Sequence, residues 1–135
     1  MTTTTITKTP RTLVAAATSN AAGATTRGTV DLRTALGGLL TVKITNGGTG
    51  PTVQATATAL VAHNAGATPT AASAGADWKT IAVLTGGGTT ANAVTEQSFD
   101  VPQGAMHMEV EFTGNTGQAV TVEAFFSEIT NAVSA

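Results

Sequence analysis

The sequence predicts an all-β protein, a single antiparallel β-sandwich of jelly-roll type with about eight strands. Three observations predict it. Thr and Ala together supply about 40% of the residues, far above ordinary usage, and Thr is a strand former that presents a polar face. Only 10% of the residues are charged, and no segment sets apolar residues at three-four spacing against Glu, Lys and Arg, so a helical domain would lack its solvated face. Turn signals then cut the chain into about eight pieces of strand length.

Residues 1–11 carry the Thr run, Lys8, Pro10 and Arg11, offer nothing to a core, and are expected to form an extended N-terminal arm. The sandwich domain is placed at 12–130, with a short tail over 131–135. Its first strand is expected over Thr12–Thr18 and its second over Arg27–Arg33, which Gly37 and Gly38 close. The third, LLTVKITN, alternates cleanly: Leu40, Val42 and Ile44 point one way, Thr41, Lys43 and Thr45 the other. GGTGP turns the chain into a fourth strand, Thr52–Val61, with Val53, Ala55, Ala57, Ala59 and Val61 on one face. The connection from Ala62 to Ala76 has little to bury, and its length marks it as a contact or mobile loop. Trp78–Leu84 and Ala93–Val101 follow as the fifth and sixth strands, and VPQG suits a type I turn.

The closing stretch, HMEVEFTGNTGQAVTVEAFF, is expected to be a hairpin with Gly117 in the left-handed position of a three-residue turn. That register sets Phe112 opposite Val120, Val110 opposite Val122 and Met108 opposite Ala124. The other face would carry His107, Glu109, Glu111, Glu123 and Phe125, with Glu109 directly across from Glu123. Like charges so placed repel. The expectation is therefore an interface in which a docked subunit supplies Lys or Arg around the outward Phe125. The alternative is that Lys43, Arg33 or Lys79 of the same chain neutralises the carboxylates.

Composition narrows the function. A net charge of -2 and no basic run longer than two residues exclude the electrostatic footprint of a nucleic-acid or anionic-membrane binder. Without Cys there is no disulfide framework, thiolate zinc site or cysteine nucleophile. LVAAA is too short for a secretory core or a membrane span, so no signal peptide is expected. With no Tyr and one Trp, the aromatic girdles of a membrane barrel cannot be built.

Catalysis finds no footing either. The two imidazoles, His63 and His107, accompany no nucleophile motif. His107, Glu109 and Glu123 offer mixed metal ligands but no ligand spacing, and Asp31, Asp77 and Asp100 stand apart. GGTG and TGGGTT precede no helix with Lys and Ser or Thr, so they read as turns rather than phosphate loops. We expect no enzyme, no cofactor and no metal. Trp78, flanked by alternating apolar residues, reads as core before it reads as a sugar platform.

The runs DWKTIAVLTGGG, FDVPQGAMHMEVEFTGN and QAVTVEAFF resemble the closing half of discoidin-type and other ligand-binding jelly rolls. The whole chain, with its Thr arm, RGTVDL, ITNGGTGP and TGNTGQAVTV, resembles small structural proteins of tailed-phage virions, among them head decoration or cement proteins. That resemblance implies a sandwich that clamps capsid subunits. Its expected partners are the major capsid protein or other virion proteins, together with further copies of itself, on a particle assembled in the host cytoplasm. The interface residues expected from the arm and the acidic face are Lys8, Pro10, Arg11, His107, Glu109, Glu111, Glu123 and Phe125. A neck, tail or fibre component, or a glycan-binding jelly roll, is the alternative.

Overall fold

The computed structural model describes residues 4–63 and 78–134. Eight strands occur among them: β1 (Thr4–Asn20), β2 (Thr26–Asp31), β3 (Gly38–Asn46), β4 (Thr56–Ala62), β5 (Trp78–Thr85), β6 (Val94–Val101), β7 (His107–Thr113) and β8 (Val120–Ser134). They form two four-stranded antiparallel sheets, β1-β8-β3-β6 and β2-β7-β4-β5. Each connection crosses from one sheet to the other except the one from β4 to β5, which pair within the second sheet, and this is the jelly-roll order that the sequence predicts.

Alternation decides which side chains meet. Leu40, Val42 and Ile44 of β3 and Val120, Val122, Ala124 and Phe126 of β8 line the inner face of the first sheet, and all are buried. Met108, Val110 and Phe112 of β7 line the facing sheet, where Ala57 and Ala59 of β4 lie beside Phe112 and Val110. The small Ala side chains leave the room that the larger β7 residues fill. Ala57 and Ala59 thus serve close sheet packing.

Several boundaries differ from expectation, and each difference has a local cause. β7 and β8 do not form a hairpin. β7 pairs with β2 and β4, and β8 with β1 and β3, so residues 114–119 carry the chain from one sheet to the other. Gly117 does adopt φ 80, but the crossover is held by Asn115, which is fully buried. Its Oδ1 accepts from Asn20 Nδ2 at 2.6 Å, and its Nδ2 donates to the carbonyls of Asn20 and Gln118.

β1 begins at Thr4 rather than Thr12, because β8 runs on past Ile129 and supplies it with a partner. Thr4 pairs with Ser134 and Ile6 with Ala132, so the expected arm and tail join as a ribbon. β4 starts at Thr56, and Val53, expected to face inward, is 53% exposed. Val53 instead bridges Thr116 in the crossover, which draws it off the sheet. The expected contact loop over 62–76 lies, from residue 64 onward, outside the described residues.

Candidate docking surface

The outward residues of the two sheets form two faces, and the eight residues singled out from the sequence divide between the two sheets. Lys8, Pro10 and Arg11 of β1 and Glu123 and Phe125 of β8 belong to the first sheet; His107, Glu109 and Glu111 belong to the second. Glu109 therefore does not oppose Glu123. Glu109 lies between Thr29 and Leu60, and Glu123 beside Lys43.

Same-chain cations account for most of the supposed repulsion. Lys43 Nζ sits 3.1 Å from Glu123 and Arg27 2.9 Å from Glu111. Of the cations expected to neutralise this cluster, Lys43 does so. Arg33 instead grips Asp31 at 2.7 Å, and Glu111 takes Arg27, a cross-strand neighbour that sequence reasoning passed over.

Glu109 and His107 are each only 1% exposed, so neither is open to the docked subunit expected there. Neither ring nitrogen of His107 has a hydrogen-bond partner, and Asp31 Oδ1 stands 3.9 Å from its Nδ1. No cluster of three or more metal-ligating side chains occurs among the described residues. Trp78 is 6% exposed and packs with Ala62 and Leu60 in a small buried cluster separate from the main core, so it is buried as expected but not between the sheets.

The outer face of the first sheet has a different character. Leu39 is 45% exposed and Phe125 39% exposed, large apolar side chains on the solvent side of central strands. Two adjoining depressions share Leu39 and Ser127. One, about 400 Å³, is lined by Lys8, Leu36, Asp100 and Ile129 among others. The other, about 320 Å³, is lined by Pro10, Arg11, Thr12, Thr41 and Phe125 among others. Arg11 reaches inward to the buried Glu128 at 2.9 Å, while Thr41 and Ser98 share a hydroxyl bond of 2.8 Å. The result is an apolar strip in a hydroxyl-rich surround, a composition that suits contact with another surface. Leu39, Leu36 and Ile129 went unremarked in the sequence; Leu39 sits on the Thr and Lys face of LLTVKITN, and that break in alternation was the available signal.

On the second sheet, the Arg33 guanidinium and then its backbone N–H hold the Asp31 carboxyl down to about 2 from an ordinary 3.8. A depressed carboxylate adds stability above its unfolded pKa and loses it as pH falls through the folded value. Asp31 is 51% and Arg33 45% exposed, so solvent limits the effect to below about 1 kcal/mol. The melting-temperature advantage over Asp31→Asn should hold above about pH 4 and vanish near pH 2. Thermal melts of both proteins across that range check it.

No family model matches the chain, and no curated protein matches it. Solved structures do. The K3 cleaved adhesin domain of Lys-gingipain from Porphyromonas gingivalis W83 aligns with a TM-score of 0.56 at 9% identity, over 81% of this chain and 71% of that one. A xylan-binding domain of carbohydrate-binding family 22 aligns at 0.48 and 14% identity, over 93% and 88%. A chain of the infectious bursal disease virus Gx strain aligns at 0.48 and 13% identity, over 93% of this chain and 32% of that one. The adhesin likeness shows a shared sandwich fold; the other two are too distant to argue from.

Proposed function

We propose that the chain is a virion structural protein, a decoration or cement protein of a tailed-phage capsid that binds neighbouring shell subunits and transforms no substrate. One observation carries the reading: the ribbon at the end of the sandwich. β3 follows β8 only as far as Gly38, opposite Glu128. Beyond Ile129 the strand pair continues alone, with Ile6 54% and Val133 47% exposed. Thr5 pairs with Val133 and Ile6 with Ala132, so apolar side chains lie on both faces of the ribbon. Two-stranded ribbons are marginal in water, and this one gives nothing to its own core. It is an element suited to being covered by another protein.

The mechanism is mechanical. A rigid sandwich carries the ribbon onto a shell subunit, which covers Ile6 and Val133, and repetition over a symmetric lattice multiplies modest contacts into firm retention. Removing residues 1–7 leaves Lys8–Asn20 paired with β8, so the truncated protein should fold. Its binding to undecorated shells should fall by at least about tenfold, a loss of about 1.4 kcal/mol or more. Co-sedimentation with shells and circular dichroism test both halves; undiminished binding by a folded truncation rejects the reading.

A second reading rests on Phe125. It stands in a depression with Thr12, Thr41 and Ser127, an aromatic ring beside hydroxyls, which is the composition of a sugar subsite. A glycan array probed with the intact protein and with Phe125→Ala tests it. Retention that disappears in the variant favours glycan binding.

A further inference from the structure

The ion pairs of this chain leave a pattern on the first sheet. Arg11, Arg27, Arg33 and Lys43 each have a carboxylate partner. Among the described residues, Lys8 is the one Lys or Arg with no ion-pair or hydrogen-bond partner, and Asp100 and Glu96 are carboxylates in the same condition. Lys8 and Asp100 line the same groove. Lys8 lies on edge strand β1 and Asp100 on the opposite edge strand β6, with β8 and β3 between them. The floor between the two charges is apolar: Leu39 at 45% exposure, with half-buried Leu36 and Ile129.

We propose that this face binds a second copy of the same chain, sheet against sheet, with Lys8 of each copy meeting Asp100 of the other. Their strands lie about 14 Å apart, three strand spacings, with Lys8 level with Ile129 and Asp100 level with Leu39 and Ser127. Face-to-face packing requires a two-fold axis lying in the plane of contact. An axis perpendicular to the line from Lys8 to Asp100 exchanges the two edges, so unlike charges coincide at two places. It also lays Leu39 of one copy near Ile129 and Ser127 of the other. An axis along that line would stack Lys8 on Lys8 and Asp100 on Asp100, which repel. The charge pattern is self-complementary in one orientation and self-repelling in the other, and that selects the dimer. Each dimer carries two ribbons, but the pairing itself does not depend on what the ribbons bind.

Charge reversal across the axis gives a test that simple loss of folding cannot imitate. Sedimentation equilibrium over about a hundredfold range of concentration should show wild-type monomer passing to dimer by mass action. Lys8→Asp faces Asp on Asp twice and Asp100→Lys faces Lys on Lys twice, so each variant alone should dimerise at least about tenfold more weakly. Mixed together, the two variants restore unlike pairs at both places and should form a heterodimer with wild-type affinity. Circular dichroism of each variant verifies its fold. A monomeric wild type, single variants that dimerise undiminished, or a mixture that fails to pair each overturn the proposal. So does a monomer that binds glycans through Phe125, which would assign the adjoining depression, and with it this face, to sugar.

Discussion

Asn115→Ala should destabilise the protein by about 3 kcal/mol, a large part of the 5–15 kcal/mol that holds a domain together. Asn115 has no exposed surface. Its Nδ2 serves the carbonyls of Asn20 at 3.1 Å and Gln118 at 3.0 Å, with Ala21 at 3.4 Å. Its Oδ1 takes the amide of Asn20, whose own Oδ1 accepts from Thr26 at 2.6 Å. One side chain therefore ties the end of β1, the start of β2 and the crossover between β7 and β8. Alanine strands the carbonyls away from water, each at about 1–3 kcal/mol before relaxation. The melting temperature should drop by about 10 °C. Asn115→Asp keeps the shape and the acceptor but removes the donor and buries a charge, so it should be no better tolerated at neutral pH. Exposed Asn131→Ala should stay within about 0.5 kcal/mol of wild type. Urea denaturation of the three variants decides: a stable Asn115→Asp would mean that the buried amide network does not hold the crossover.

That network also marks how far the sequence could be read. The faces were legible: Leu40, Val42 and Ile44, and likewise Met108, Val110 and Phe112, all turn inward as their alternation predicts. The partners were not. A hairpin and a crossover between facing sheets put the same residues of β7 and β8 into the same core, so the pattern fits both. The difference lay in one buried Asn within a turn-like GNTGQA, a residue type ordinarily read as a solvent-exposed turn former.

The ribbon was missed for a related reason. Thr4–Thr9 has almost no apolar pattern, and its order comes from pairing with β8, a partner more than a hundred residues away in sequence. Ile6 was the available hint. Residues His107 and Glu109 show the same limit from the other side. Alternation placed them correctly on the outer face of β7, but nothing local to a strand says whether that face is covered. Within β1, Ala17 takes φ 58 beside a register shift, a conformation more usual for Gly or Asn, so the bulge had no Gly to announce it.

Gly28→Val should be strongly destabilising although strand propensity argues the opposite. Gly28 lies inside β2, opposite Val110 of β7, and Val is among the residues most favoured in strands, by up to about 1 kcal/mol. A Cβ added there, however, meets the Leu13 backbone carbonyl, with its carbon at 2.6 Å and the Leu13 Cβ at 2.9 Å. Leu13 belongs to the stretch of β1 where the register shifts between Thr12 and Val14. There the edge of the first sheet comes down onto the second and closes the sandwich. Backbone on both sides leaves no side chain to swing aside, so the strands must part. Overpacking of this kind costs about 1–3 kcal/mol, with Gly28→Ala toward the lower end and Gly28→Val at or above the upper. A matching control is Thr29→Val, one residue along on the exposed face, where the propensity gain stands alone and stability should hold or rise. If urea midpoints place Gly28→Val level with Thr29→Val, the two sheets do not close as tightly at this seam as the geometry requires.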